Sequence, residues 1–307
     1  MSYKRKRITV KIGSNVLARP DGTLDITRMS ALTDQIAELH KAGVEIIVIS
    51  SGAVASGRSE LKIHRKLDAV SARQLFSAVG QAKLINRYYE LFREHNIACG
   101  QVLTTKENFS TRRQYLTQKQ CMEVMLENKV IPIVNENDTI SVTELMFTDN
   151  DELSGLVAAM MGAEALVILS NIDGIYDGSP SDPASQVIRR VAPGRDLSQY
   201  IDTARSSRGR GGMTTKSRIS SRAAGEGIEV VIANGRRDNI LTDLILTDRD
   251  VVCTRFEAAP RPASGVKKWI ASSEGFAKGA LHLDAGAAAA VSQSKAASIL
   301  AVGVTAV

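Results

Sequence analysis

Two lysines and two acidic clusters carry the chemistry that this sequence offers. Lys11 closes the apolar run Ile8-Thr-Val-Lys-Ile12, and Lys216 stands in the first turn of a helix opened by Arg210-Gly-Gly-Met-Thr-Thr-Lys216, where the macrodipole favours anions. A lysine at the end of a buried strand must be paired or bear a desolvation cost, so a phosphate-facing role for Lys11 outweighs a place on a surface edge strand. Gly13, Gly211 and Gly212 let the backbone approach a ligand closely. Around them amides, the hydroxyls of Thr214 and Thr215, Met213 and an ammonium converge as a polyphosphate requires. The pattern predicts a nucleotide phosphate clamp. Asn135-Glu-Asn-Asp138 and Asp149-Asn-Asp-Glu152 bring carboxylates to the same edge. Capping of a helix explains the second cluster but not Asp138, and together with the lysines the two make a charge-compensated site.

The elements that position these residues follow from hydrophobic periodicity. Strand patterns at Arg7 to Ile12, Glu45 to Ile49, Ile97 to Leu103, Val130 to Val134, Ala165 to Leu169 and Glu229 to Ile232 alternate with helical ones. The helices are predicted over Ile26 to Leu39 with Asp25 as cap, Ser71 to His95, Arg112 to Asn128, Glu152 to Met161 and Thr215 to Gly225. This alternation is the signature of parallel βαβ units, so the expected fold is a three-layer αβα sandwich around a mainly parallel sheet. Ligands of such sheets bind beyond the carboxyl ends of the strands. Those ends read Lys11-Ile-Gly-Ser-Asn15, Ser50-Ser-Gly52, Asn135-Glu-Asn-Asp138, Ser170-Asn-Ile-Asp173 and Asn234-Gly235. Residues 177–210 read as an excursion, a short hairpin and a loop at 206–210. The expected domains are 1–256, a linker over 257–265 and a short Ala-rich segment over 266–307.

Composition removes several classes of function. At 307 residues and 44% hydrophobic the chain can bury a full core, and its longest apolar runs are far short of the ~20 residues a membrane helix needs. Neither a membrane span nor a signal peptide is expected. Cys99, Cys121 and Cys253 are too far apart for a metal knuckle or a disulfide framework, which points to a reducing cytoplasm, and the four histidines are equally scattered. No metal-ligating residue is predicted. A net charge of +6 suits an enzyme of anionic substrates, the run Lys4-Arg5-Lys6-Arg7 just before a strand reads as a solvated terminus, and aromatics at 4% offer few platforms for single-stranded nucleic acid. Dinucleotide fingerprint, P-loop and protein-kinase signatures are all absent, so any phosphoryl transfer uses another architecture.

In their order, Lys11-Ile-Gly-Ser-Asn15, Ser50-Ser-Gly-Ala53, Asn135-Glu-Asn-Asp138, Asp149-Asn-Asp151 and Gly211-Gly-Met-Thr-Thr-Lys216 resemble the amino acid kinase family over about Ile8 to Thr254, and specifically its glutamate-phosphorylating branch. The resemblance implies ATP-dependent phosphorylation of the L-glutamate γ-carboxylate, the first step of proline synthesis, with Mg²⁺ accompanying ATP. It implies that Lys11 and Lys216 neutralise the transferring phosphoryl group and that Asp151 holds them. Ser51, Gly52, Asp138 and Asn150 would bind glutamate, and Lys11, Gly13, Ser170, Asn171 and Arg210 to Lys216 the nucleotide. It also implies feedback by L-proline and a homo-oligomer, dimer or tetramer. This chain departs from the family pattern at Ser170-Asn171, where Thr-Asp is usual, and at Arg210, where Thr is usual. Lys267-Lys-Trp-Ile270 and Gly279 to Asp284 resemble the opening of a PUA domain, which would be incomplete here. Other family members acting on acetylglutamate, aspartate, UMP or carbamate are the nearest alternatives, followed by a non-catalytic ligand or RNA binder.

Overall fold

The computed structural model describes residues 6–61, 63, 66–141, 147, 149–201, 212–247, 249–260, 269, 281–292 and 301–306. Strand β1 (Arg7–Ile12) runs straight into a single helical turn, α1 (Ser14–Leu17), and then into α2 (Ile26–Lys41), whose cap Asp25 accepts the Arg28 N–H at 3.0 Å. There follow β2 (Glu45–Ser50), the paired helices α3 (Ala53–Glu60) and α4 (Ala69–Glu94), β3 (Cys99–Thr104), α5 (Arg112–Glu127) and β4 (Ile131–Glu136). The second half contains α6 (Asn150–Met161), β5 (Ala165–Ser170), β6 (Arg190–Val191), α7 (Ser198–Ile201), α8 (Met213–Gly225), β7 (Glu229–Asn234), α9 (Ile240–Ile245) and β8 (Cys253–Phe256). The alternation expected from the sequence is therefore present. The helices α3 and α9 and the strand β8 add to it, and several strands extend one or two residues further than their apolar cores suggest.

One eight-stranded sheet in the order β3-β4-β2-β1-β5-β7-β8-β6 forms the middle layer. Its pairings are parallel except β7 with β8, where the chain turns back. Because side chains alternate along a strand, β1 sends Ile8, Val10 and Ile12 into the cluster shared with α2, α4 and α9. Thr9 and Lys11 have the opposite parity and face the layer of α6 and α8. Leu166, Ile168, Val230 and Ile232 join that layer through α8, and Ile47, Ile49 and Val134 join it through α5 and α6. Both faces of β1 and β5 are thus covered, which is why these strands read as solid apolar runs.

Beyond the sheet, Tyr176 bridges Val187 antiparallel, as a short hairpin would, while 206–210 and the whole of Arg210-Gly211 lie outside the described residues. In the C-terminal segment His282–Leu283 pairs with Val304–Ala306, next to a helix over Ala285–Val291. Trp269 packs against the cluster beside α5, where the Arg112 guanidinium sits 5.5 Å from the ring centres of both Tyr115 and Trp269. Among the described residues no helix is long and apolar enough to cross a membrane, and Cys99, Cys121 and Cys253 are unpaired.

Candidate active site

The carboxyl ends of β1, β2 and β5 and the N-terminal ends of α6 and α8 enclose a cleft of about 940 Å³. At its floor Asp151, 1% exposed, lies between two ammonium groups: Lys11 Nζ is 2.6 Å from one carboxylate oxygen and Lys216 Nζ 2.8 Å from the other. Lys11 comes from β1, one of the two central strands of the sheet, and is 5% exposed. Burial by itself would push the Asp151 carboxyl up, but the two lysines outweigh it and hold the group down at about 2, ionised at any physiological pH. Asp149 caps α6, one oxygen accepting the N–H groups of Asp151 and Glu152 at 2.9 and 3.1 Å. Its other oxygen is buried without a hydrogen bond, and burial together with the Asp151 charge raises this carboxyl. Gly13 serves by closeness. Its N–H donates to the Leu169 carbonyl at 3.1 Å, and a Cβ there would lie 3.0 Å from that oxygen.

A second, amide-rich group adjoins the floor. The Asn150 side-chain N–H₂ donates to Ser51 Oγ at 2.9 Å and to Asn135 Oδ1 at 3.0 Å, and Asn135 in turn donates to Gln81 Oε1 of α4 at 2.8 Å. Gly52 carries φ +113°, a left-handed conformation that glycine alone adopts cheaply, so the chain can turn from β2 into α3 with Ser51 facing the cleft. Further along, Arg73 of α4 donates from Nε to Asp138 at 2.6 Å and from Nη2 to Glu136 at 2.7 Å. The other Glu136 oxygen accepts the Phe147 N–H at 3.1 Å, which ties the end of β4 to the segment before α6. Two carboxylates here share one guanidinium, the reverse of the two lysines sharing Asp151.

Residues 6–234 match the family model described as the amino acid kinase family. The chain belongs to the amino acid kinase family. Among curated relatives it is 71% identical to the glutamate 5-kinase of Bacteroides thetaiotaomicron over 305 residues, 99% of this chain and 85% of that protein. It is 44% identical to the glutamate 5-kinase of Chlorobaculum tepidum over 98% of this chain and 83% of that one. Among solved structures a UMP kinase from Bacillus anthracis superposes with a TM-score of 0.57 at 14% identity, covering 82% of this chain and 96% of that one. An isopentenyl phosphate kinase gives 0.58 at 16%, over 81% and 99%. These last two likenesses concern the fold alone.

In this amino acid kinase the cleft brings together most of the residues singled out in the sequence: Lys11, Gly13, Ser51, Asn150, Asp151, Ser170, Asn171, Gly212, Met213 and Lys216 all line it. Gly52, Asp138, Thr214 and Thr215 do not. Gly52 shapes the turn, Asp138 is engaged with Arg73, and Thr214 is exposed on α8. Gly13 lines the cleft, and its own amide donates to the Leu169 carbonyl of the neighbouring strand. Arg210 and Gly211 fall outside the described residues. Sequence reasoning missed Arg73 and Gln81, although with Ser77 they form a polar stripe at i, i+4 and i+8 on a helix read only for its apolar positions. It also missed Arg236, which lines the cleft and donates to the Asn15 carbonyl at 2.9 Å.

Proposed function

We propose that this chain transfers the γ-phosphoryl group of ATP to the γ-carboxylate of L-glutamate. The observation that supports it most directly is the Lys11–Asp151–Lys216 arrangement, set 2.6 and 2.8 Å apart at the floor of a cleft that Ser51 and Asn150 also line, with Asn135 behind Asn150. A carboxylic acid of ordinary pKa near ~4.3 is ionised at neutral pH, so the acceptor is its own nucleophile and needs no base from the protein. The obstacle is repulsion between that carboxylate and a triphosphate. Two ammonium groups meet it by offsetting negative charge on the transferring group, and Asp151 keeps both aimed at one point without a change of protonation. Holding the two substrates in line removes a further ~7–11 kcal/mol of orientational cost in the best intramolecular cases.

Mg²⁺ fits this site as a companion of the nucleotide. Such an ion keeps several waters and takes one or two carboxylates besides phosphate oxygens, and the buried Asp149 oxygen without a hydrogen bond is a suitable donor. When bound, it would offset charge on the phosphates. Lys11, Ser170, Asn171, Gly212, Met213 and Lys216 would face the nucleotide, with Ser51 and Asn150 toward the acceptor. On the same reading L-proline competes for the acceptor pocket, and the enzyme works as a dimer or tetramer.

The test is a panel of acceptors with coupled ADP detection: L-glutamate, acetylglutamate, aspartate, UMP and carbamate. Rapid ADP release with L-glutamate alone, its acyl phosphate product trapped by hydroxylamine as a hydroxamate with loss of phosphate, is the expected result. Faster turnover of any other acceptor would overturn the assignment. Light scattering and inhibition by added L-proline test the two accompanying statements.

A further inference from the structure

We propose that Arg73 is a positioning residue for the amino acid acceptor, holding Asp138 ready to receive the substrate's α-ammonium group. The inference rests on the reading of the acceptor as L-glutamate. Arg73 stands near the start of α4 and grips the end of β4 at two points, Asp138 through Nε at 2.6 Å and Glu136 through Nη2 at 2.7 Å. Both carboxylates are almost wholly buried, with side chains 3% exposed at Glu136 and 8% at Asp138. Two such carboxylates, two residues apart in the chain, repel each other, and burial already pushes the Glu136 carboxyl up while Arg73 draws it down. Asp138, the Phe147 N–H and the Ser141 side chain also face Glu136. The guanidinium lies between the pair and fixes the direction of both carboxylates by hydrogen bonds.

The grip also has a rigid base. Four and eight residues further along α4 stand Ser77 and Gln81, and Gln81 supports Asn135, so one helix face underlies both ends of the Asn135–Asp138 segment. Gly80 on the same helix lies against α3, with a Cβ there only 1.8 Å from the Ala53 carbonyl. Neither Arg73 nor Asp138 lines the cleft, but the segment they fix begins at Asn135, which accepts from the cleft-lining Asn150, so the effect of Arg73 passes through the Asn135–Asp138 segment to acceptor binding and not to the transfer step.

A double-mutant cycle tests this, with wild type, Arg73→Gln, Asp138→Asn and the pair compared in KM for L-glutamate, KM for ATP and kcat. Losing one partner of a buried charged pair should raise KM for L-glutamate at least about tenfold in Arg73→Gln, with kcat and KM for ATP nearly unchanged. If Arg73 acts through Asp138, the double variant has the KM of Asp138→Asn alone. Arg73→Lys, which keeps the charge but not the forked grip, gives an intermediate KM. Additive effects, an unchanged KM, or kcat falling in step with KM would overturn the proposal. Should Arg73→Gln not fold, an Arg73→Lys enzyme with wild-type KM overturns it equally. A wild-type enzyme inert toward L-glutamate would instead overturn the acceptor assignment, a separate outcome.

Discussion

Two groups of three charges in this molecule solve opposite problems with opposite arithmetic. At the floor, two lysines surround one carboxylate; beside β4, two carboxylates surround one arginine. Each trio is held by its minority member, and the majority charge is the one a ligand of opposite sign would meet. A phosphate chain suits the first trio and an ammonium the second. The physical requirement differs as well. The lysine trio must be right in the transition state, when charge moves, whereas the Arg73 trio need only be right when the acceptor binds. Kinetic separation of the two trios is the natural consequence.

The most damaging way to probe the contrast is Asp151→Asn, which leaves the buried Lys11 and the partly buried Lys216 without their counter-charge. Breaking a buried pair in this manner costs about 3–5 kcal/mol, read as a fall in the denaturant midpoint. The sign with pH follows from the depressed carboxyl. Asp151 contributes its stabilisation above the unfolded value of about 4 and loses it as pH falls toward about 2, so the variant should lack that limb of acid unfolding. Next comes Lys216→Ala, for which steady-state kinetics should record a drop of about a hundredfold to a thousandfold in kcat, as for loss of one transition-state charge stabiliser. An active Lys216→Ala enzyme would erase the distinction between the two trios.

Gly80→Ala should unsettle the acceptor side alone. Its Cβ would drive into the Ala53 backbone, costing about 1–3 kcal/mol by overpacking and raising KM for L-glutamate more than KM for ATP. Ser51→Ala, which removes the hydroxyl that accepts from Asn150, should raise the same KM by about tenfold or less with kcat nearly kept. Smallest is Arg237→Ala. Its ion pair with Asp173 is partly exposed at the surface, so calorimetry should find a change of about 0–1 kcal/mol and kinetics almost none. A large effect there would show that charge pairs outside the two trios also matter.

Much of this was legible from residue order. Period-2 and period-3.6 patterns identify the alternating strands and helices, and an apolar run around Lys11 marks a lysine that must find an anion. The motifs at strand ends mark the edge on which ligands bind, and the capping sequence Asp149-Asn-Asp-Glu152 marks where α6 begins. What the pattern could not show is which polar residue of a helix turns inward, and so it does not single out Arg73 and Gln81. Nor could it show that the Gly13 amide is taken by Leu169, because that bond joins residues 156 apart in sequence.

The sequence by itself determined the chemistry available: two cations, their carboxylates, the small residues between them, and the order of elements that carries them. Only the tertiary structure decided the pairing, because 140 residues separate Lys11 from Asp151 and 65 separate Asp151 from Lys216. Those spans close when β1 takes the centre of the sheet and α6 and α8 pack side by side over it. Strand order and helix packing are global outcomes of burying both faces of the sheet, and no local pattern encodes a distance between side chains that the fold brings together.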